Sequence, residues 1–450
     1  MMFIDPAANL YLGNGFTSAT WYGQIKDEFW AGYPPLYSLL LYAWMRVYGL
    51  SLATARSLNI LLTVITAFLL WVSVQRLHLV KTASARISLV LLLLFIQNYT
   101  FNLTAGRPDP LMLLITTLVL LVSSIRSQPW RYGGLVAVCT LFPLTGLSLV
   151  VYSVISVALV LIFLQGKFVA EAIAIAIGLF AGLVTLYGIY QANGVWDQFI
   201  FSTKNNPTLV GHNLASSLSE SLRFGGFLQN RNFQILLTLL ISIAIYRILK
   251  RDLQWRSTIC FGLAASFVIP LGMRFAGAYL FYNGWMASLP LIICLCSNWE
   301  QLPIFRIKQW MVTALSGLLL TVCILGPHLR IIDLITNWQA LDQAPVSALI
   351  ERNVSSQDWV FSDSLAYYAA KPKAAVTMTH WYRSIITPSE KQQVSVLILR
   401  PELFESTVHK LGGQWEITPD QVTLQTHNLL KKRQNLITLN VYKPAVNSGL

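Results

Sequence analysis

Long apolar runs separated by short polar joints dominate the chain. Leu58 to Val74, Ile87 to Phe101, Leu111 to Val122, Val169 to Ile189 and Met311 to Leu325 are the clearest. Several approach the roughly 20 residues that an α-helix needs to cross a bilayer. A backbone in hydrocarbon must satisfy its own hydrogen bonds, so these runs predict helices and not open strands. About ten spans follow, at 54–76, 87–103, 109–125, 132–147, 148–164, 169–190, 232–248, 257–273, 276–295 and 309–327. The division inside 132–164 rests on Pro143 and Gly146 as breakers. Leu36 to Tyr48 is apolar but short and interrupted by Tyr and Trp, which predicts an interfacial helix lying along the membrane.

After His328 the pattern changes. Short alternating stretches (Trp359 to Phe361, Val394 to Leu399, Leu436 to Val441) predict strands, and Val346–Arg352 and Pro401–Leu411 predict helices between them. Ten of the 19 acidic residues fall in 329–450, and no long apolar run does. The fold class expected is an all-α polytopic membrane domain followed by a small C-terminal α/β domain. The parts are an outer segment with a juxtamembrane helix (1–53), a transmembrane domain (54–328) and the α/β domain (329–450). No internal repeat or low-complexity tract is present.

Loop charges set the orientation. Arg76, His78, Lys81 and Arg86 fill one joint; Arg126 and Arg131 flank the next; Lys167, then Arg247, Lys250, Arg251 and Arg256, then Arg306 and Lys308 follow. One assignment places all of these in the cytoplasm. The segments 1–53, 102–108 and 191–231 and the C-terminal domain then face outward from a multi-pass protein of the inner or plasma membrane. Making Leu36 to Tyr48 a full span would reverse every later loop. The chain opens Met-Met-Phe-Ile-Asp without a signal peptide or first span. Either it starts outside the membrane, or an eleventh helix is missing ahead of Asp5.

Composition sharpens this picture. Hydrophobic residues make up 55% and charged residues 11% of the 450, with a mean hydropathy of +0.57. Soluble domains carry roughly 25% charged residues. A net charge of +13 invites a nucleic-acid reading, but the basic residues are scattered among short loops and form no single face. Cys139, Cys260, Cys294, Cys296 and Cys323 all fall in apolar spans and read as small core residues.

Carboxylates are costly near hydrocarbon, so their positions carry information. Nine acidic residues precede position 330, and Asp5, Asp27, Glu28 and Asp109 share the predicted outer rim. Asp5 and Asp109 each stand before a proline, a pattern that also suits a helix start with a capping carboxylate. Trp21, Tyr22, Phe29, Trp30 and Tyr33 predict an interfacial aromatic belt. The long segment 191–231, with Lys204, His212, Arg223 and Arg231, has the length of a lid. Asn98, Asn102 and Asn353 stand in glycosylation sequons.

Three runs carry a resemblance. Ile4-Asp-Pro-Ala-Ala-Asn-Leu-Tyr-Leu-Gly13, Gly32-Tyr-Pro-Pro-Leu-Tyr37 and Ala55-Arg-Ser-Leu58 together resemble the GT-C class of membrane glycosyltransferases. The likeness is to the dolichyl-phosphate-mannose protein mannosyltransferases and bacterial aminoarabinose transferases. Ala105-Gly-Arg-Pro-Asp-Pro-Leu111 looks like that family's second acidic motif, and Tyr279 to Pro290 is similar to its late Tyr-rich span. The chain departs from the pattern by lacking a first span and by having Pro6 where a second acidic residue usually follows the Asp. Asp27 or Glu28 is the candidate replacement.

The resemblance implies an inverting transferase that moves a sugar from a polyprenyl-phosphate donor to a lipid, glycan or protein acceptor on the outer face. Asp5 is then the general base, with Asp109 as the second catalytic carboxylate, holding a metal or positioning an arginine. Arg107, Arg56 and Arg274 are the candidates for the donor phosphate, with Arg223 and Arg231 near the same face. Tyr11, Tyr37 and Tyr282 are candidate donor or acceptor contacts. A divalent cation, Mg or Mn, between Asp5 and Asp109 would suit oxygen ligands. The alternatives are a transporter or lipid-linked glycan flippase, which would show paired halves and midplane ionisable groups, and a surface-polysaccharide polymerase or ligase.

Overall fold

The structure is a computed structural model that describes residues 3–21, 24–95, 106–204, 231–249, 285–299, 342–379, 387–428 and 433–445, with the isolated positions 260, 262, 264 and 268. Its N-terminal part is a helical bundle. The elements are α1 (Asp5–Tyr11), α2 (Leu36–Tyr48), α3 (Leu52–Arg76), α4 (Ala83–Phe95), α5 (Asp109–Ser123), α6 (Gln128–Thr145), α7 (Leu147–Gln165), α8 (Val169–Ala192), α9 (Trp196–Lys204), α10 (Arg231–Leu249) and α11 (Trp285–Trp299).

Local chemistry explains several boundaries. Ser51 starts α3 by accepting a bond from the Thr54 amide at 3.0 Å, a conventional N-cap. Pro143 is accommodated inside α6, which stops at Thr145, and Gly146 separates it from α7. The expected division of 132–164 therefore holds to within a few residues. Helices α6 and α8 pack closely because Gly178 and Gly182 face α6. A Cβ at Gly178 would lie 2.5 Å from the Val136 carbonyl oxygen, and one at Gly182 would lie 2.4 Å from that of Thr140. Small residues four apart let helix backbones approach in this way. Arg131 and Glu171, both buried, tie the same two helices together at 3.2 Å.

Two described helices, α3 and α8, are long and apolar enough to cross a membrane. Shorter apolar helices lie at Ala83–Leu94, Asp109–Ser123, Leu149–Gln165, Gln234–Ile245 and Ser288–Asn298. The outward side of α3 and α8 is itself apolar, with Val64, Phe68, Val169, Ile173 and Phe180 exposed. Of the expected spans, 309–327 lies outside the described residues, as does nearly all of 257–273; 276–295 is described from Trp285 onward. Cys139, Cys294 and Cys296 are buried as expected, whereas Cys260 is exposed.

The C-terminal part is a separate α/β unit. It comprises α12 (Ala344–Asn353), β1 (Trp359–Ser362), α13 (Tyr367–Ala370), β2 (Val376–Thr379), α14 (Pro388–Gln393), β3 (Val394–Leu399), α15 (Pro401–Leu411), β4 (Trp415–Asn428) and β5 (Arg433–Pro444). The sheet order is β2-β1-β3-β5-β4. β1 runs parallel to both β2 and β3, while β5 pairs antiparallel with β3 and β4. One face packs Val360, Val396, Ile398 and Val441 against Leu349 and Ile350 of α12. The other packs Phe361, Met378, Leu397 and Leu399 with Leu411 of α15 and, from the N-terminal segment, Ala19.

The N-terminal segment thus joins the two parts. Trp21 and Trp30 are not an interfacial belt. Both are buried, and Trp21, part of the bundle core, packs edge-on to Phe3 and to Trp30. Their apolar mass is used to dock the segment, and membrane anchoring is not needed to explain it. Asn353 is also reassigned. Its amide is buried and donates to the Leu349 carbonyl and to Asp420, both at 3.0 Å, so this sequon offers no free acceptor. Asn98 and Asn102 lie outside the described residues, as does Tyr22.

Candidate active site at the seam of the two parts

Asp5 is the first residue of α1, and Asp109 is the first of α5. Neither caps its helix: the cap positions are Ile4 and Pro108, with no side-chain cap bond at either. Both carboxylates are fully buried. Since a buried charge must be compensated, their partners define the site.

Asp5 is held from two directions. From its own segment, Ser18 Oγ donates to Oδ2 at 3.0 Å and the Ala19 amide donates at 2.8 Å. From the C-terminal part, the Tyr367 hydroxyl donates to Oδ1, and Lys371 Nζ lies 2.8 Å from the same oxygen. Lys371 is itself only 5% exposed, so this is a buried ion pair. Burial, reinforced by the Asp5 charge, pushes the Tyr367 phenol well above its usual range, so it stays protonated and donates. Four donors match the roughly four lone-pair sites of a carboxylate.

Asp109 is held within the bundle. Arg107 Nε lies 3.0 Å from Oδ2, and the Trp285 indole of α11 donates to Oδ1 at 3.1 Å. Arg107 owes its place to the turn before it. Gly106 has φ +60, a left-handed conformation that glycine adopts without strain, and a Cβ there would lie 2.7 Å from Ile4 Cδ1. That close approach brings the Gly-Arg-Pro-Asp turn against the residue preceding Asp5. Arg107 also lies over the Phe3 ring at 5.6 Å.

Tyr37 of α2 links the two neighbourhoods. Its buried hydroxyl donates to Asn59 Oδ1 at 3.0 Å, and Asn59 donates to the Arg107 carbonyl at 3.3 Å. It also lies within electrostatic reach of Asp109, Arg107 and Tyr368. Arg56, half-buried at the start of α3, interacts with Tyr368 in turn. Asp5, Asp109, Arg56, Arg107 and Tyr37 are therefore brought together as one cluster, completed by Tyr367, Tyr368 and Lys371 of the C-terminal part.

Other expectations fare differently. Tyr11, at the end of α1, packs half-buried against the bundle core, and no described hydrogen bond joins it to either carboxylate. Asp27 does not supply a second acid, being exposed and paired with its neighbour Lys26. Glu28 makes no described ion pair with the cluster. Part of the expected lid is regular structure, the helix α9; His212 and Arg223 lie outside the described residues, as do Arg274 and Tyr282. Arg231 begins α10.

A divalent cation between Asp5 and Asp109 does not fit these residues. The Asp5 oxygens accept from four donors, one of them an ammonium that would repel the ion. Asp109 already faces a guanidinium. Among the described residues no three His, Cys, Asp or Glu side chains gather into a cluster of metal ligands.

Sequence reasoning missed Tyr367, Tyr368 and Lys371. They sit in the run Ala366-Tyr-Tyr-Ala-Ala-Lys371, whose only signal is an aromatic pair and a lysine in an otherwise ordinary turn of helix.

No protein-family model matches the chain, and no curated protein sequence does. Solved structures do. The crystal structure of ArnT from Cupriavidus metallidurans in the apo state superposes with a TM-score of 0.55 at 12% identity, covering 97% of this chain and 92% of that one. The same protein bound to undecaprenyl phosphate gives a TM-score of 0.52 at 12% identity, over 99% of this chain and 93% of that one. The chain thus has the fold of ArnT along nearly its whole length.

Proposed function

We propose that the chain is an integral-membrane glycosyltransferase that moves a sugar from a polyprenyl-phosphate donor to an acceptor on the outer face. The observation that carries this reading is the pair of buried carboxylates, Asp5 and Asp109, gathered with Arg56 and Arg107 into one cluster at the junction of bundle and sheet. The likeness to ArnT, a structure of which holds undecaprenyl phosphate, supports a polyprenyl phosphate as the donor carrier. About ten membrane spans and an outward-facing C-terminal domain complete the proposal, on the strength of the loop charges.

The chemistry follows from the donors around each carboxylate. The acceptor hydroxyl attacks the anomeric carbon, the bond from that carbon to the phosphate oxygen breaks, and polyprenyl phosphate leaves. Asp5 takes the hydroxyl proton. For that it must release one of its four donors. The Tyr367 hydroxyl is the natural one to yield, because an incoming sugar or lipid hydroxyl replaces it like for like at Oδ1 while Lys371 keeps the charge balanced. Asp109 positions Arg107, and the guanidiniums of Arg107 and Arg56 receive the charge that develops on the leaving phosphate. Arg274 is proposed as a further donor-phosphate contact, and Tyr11, Tyr37 and Tyr282 as donor or acceptor contacts.

Replacing Asp5 or Asp109 by Asn in the full chain should lower transfer by about 10²- to 10⁴-fold, measured by mass analysis of surface glycolipids and glycans in cells carrying each variant. Full activity in both variants would overturn the assignment. A reporter fused after Arg330 should read as extracytoplasmic.

A further inference from the structure

Among the described residues, the α/β part enters the core of the bundle through one short segment. Tyr367 and Tyr368 of α13 belong to the buried core of the helical bundle, although the rest of their domain packs around its own sheet. The two rings meet edge-to-face at 5.4 Å. In the structure Tyr367 donates to Asp5, and Lys371 follows it onto the same oxygen.

Tyr368 is not committed. It is 9% exposed, and its hydroxyl is sealed from solvent with no hydrogen-bond partner among the described residues. A buried hydroxyl without a partner costs free energy, and such groups call for an explanation. This one lies in a polar setting, with the Arg56 guanidinium and the Tyr37 and Tyr367 phenols in electrostatic reach. None of them bonds to it: Tyr37 and Tyr367 turn their protons to Asn59 and Asp5, Arg56 has donors only, and among the described residues no oxygen lies within hydrogen-bond distance of the Tyr368 hydroxyl. A buried hydroxyl without a partner, with a guanidinium in electrostatic reach, offers two of the groups that an anionic oxygen needs.

We propose that Tyr368 is a donor-phosphate contact: its hydroxyl donates to a phosphate oxygen of the polyprenyl-phosphate carrier alongside Arg56, so that the C-terminal domain forms one wall of the donor site. This rests on the transferase reading above and adds to it a residue outside the bundle. It gives α13 a reason to enter the bundle with two tyrosines side by side. Tyr367 serves the carboxylate and Tyr368 the phosphate.

Tyr368→Phe tests the assignment in the full chain, purified in lipid nanodiscs. The change deletes one orphaned oxygen, so the unfolding temperature should stay level or rise. Binding of undecaprenyl phosphate, followed by native mass spectrometry, should weaken about tenfold, the equivalent of one charge-assisted hydrogen bond. Binding of undecaprenol, which lacks the phosphate, should not change. Inorganic phosphate should compete poorly, because the lipid chain supplies most of the affinity. Equal affinity of variant and wild type for undecaprenyl phosphate would overturn the proposal and leave the transferase reading intact. A clear fall in unfolding temperature would overturn it too, by showing a structural hydroxyl. If the wild-type chain bound neither lipid, the transferase reading itself would fall, and this contact with it.

Discussion

Asp5 and Asp109 occupy matching positions, each the first residue of a helix and each followed by proline, yet they are compensated in opposite ways. Asp109 draws its cation from two residues away and a single indole from α11, which leaves room on its oxygens. Asp5 draws its cation from the far end of the chain and accepts four donors. One carboxylate is furnished by the bundle alone, the other by the contact between bundle and sheet. Docking of the α/β part is thus a condition for Asp5 to be a compensated anion at all.

Breaking each side should show this asymmetry. Lys371→Met strips a buried carboxylate of a buried ammonium, and the loss should be about 3–5 kcal/mol, read from chemical or thermal unfolding; Lys371→Arg should recover part of it. Arg107→Gln should cost somewhat less, about 2–3 kcal/mol, because the guanidinium is 16% exposed and water can reach part of its place, although Asp109 stays buried. Trp285→Phe removes a single donor from Asp109 and should cost about 1 kcal/mol. A result in which Arg107→Gln proved the most damaging would reverse the comparison.

The smallest expected effect concerns pH. Burial and the neighbouring Asp5 charge raise the Tyr367 phenol above its ordinary range. Below the unfolded phenol's value near ~10 the stabilisation from this group is fully present, and it declines as pH rises beyond that point. Unfolding followed between about pH 8 and 11 should show this decline in the wild type and a shallower one in Tyr367→Phe.

What was legible in the sequence depended on how local the cause was. β3 and α15 appear at the residues expected because a continuous apolar run and a proline-started amphipathic stretch encode them directly. β4 was missed because Trp415–Asn428 is mostly polar and half-exposed, so its partner β5 determines its pairing more than its own pattern does. The same holds for the site. Asp5, Arg107 and Asp109 stand out through Asp-Pro and Gly-Arg-Pro motifs. Lys371 and Tyr367 acquire meaning only by tertiary contact, and nothing in the spacing of Ala366 to Lys371 announces it. Trp21 and Trp30 differ from expectation for the related reason that a ring suited to an interface is equally suited to a buried core.

The bond from Tyr367 to Asp5 spans 362 residues of sequence. At ribosomal speeds of about 5–20 residues per second, that distance corresponds to roughly 20–70 s between the emergence of one partner and the other. Throughout that interval a nascent chain carries a carboxylate whose permanent counterion does not yet exist. Its amino-terminal stretch must therefore stay hydrated and undocked until translation is almost complete, and a prematurely terminated product would display an unsatisfied anion that quality-control proteases could recognise.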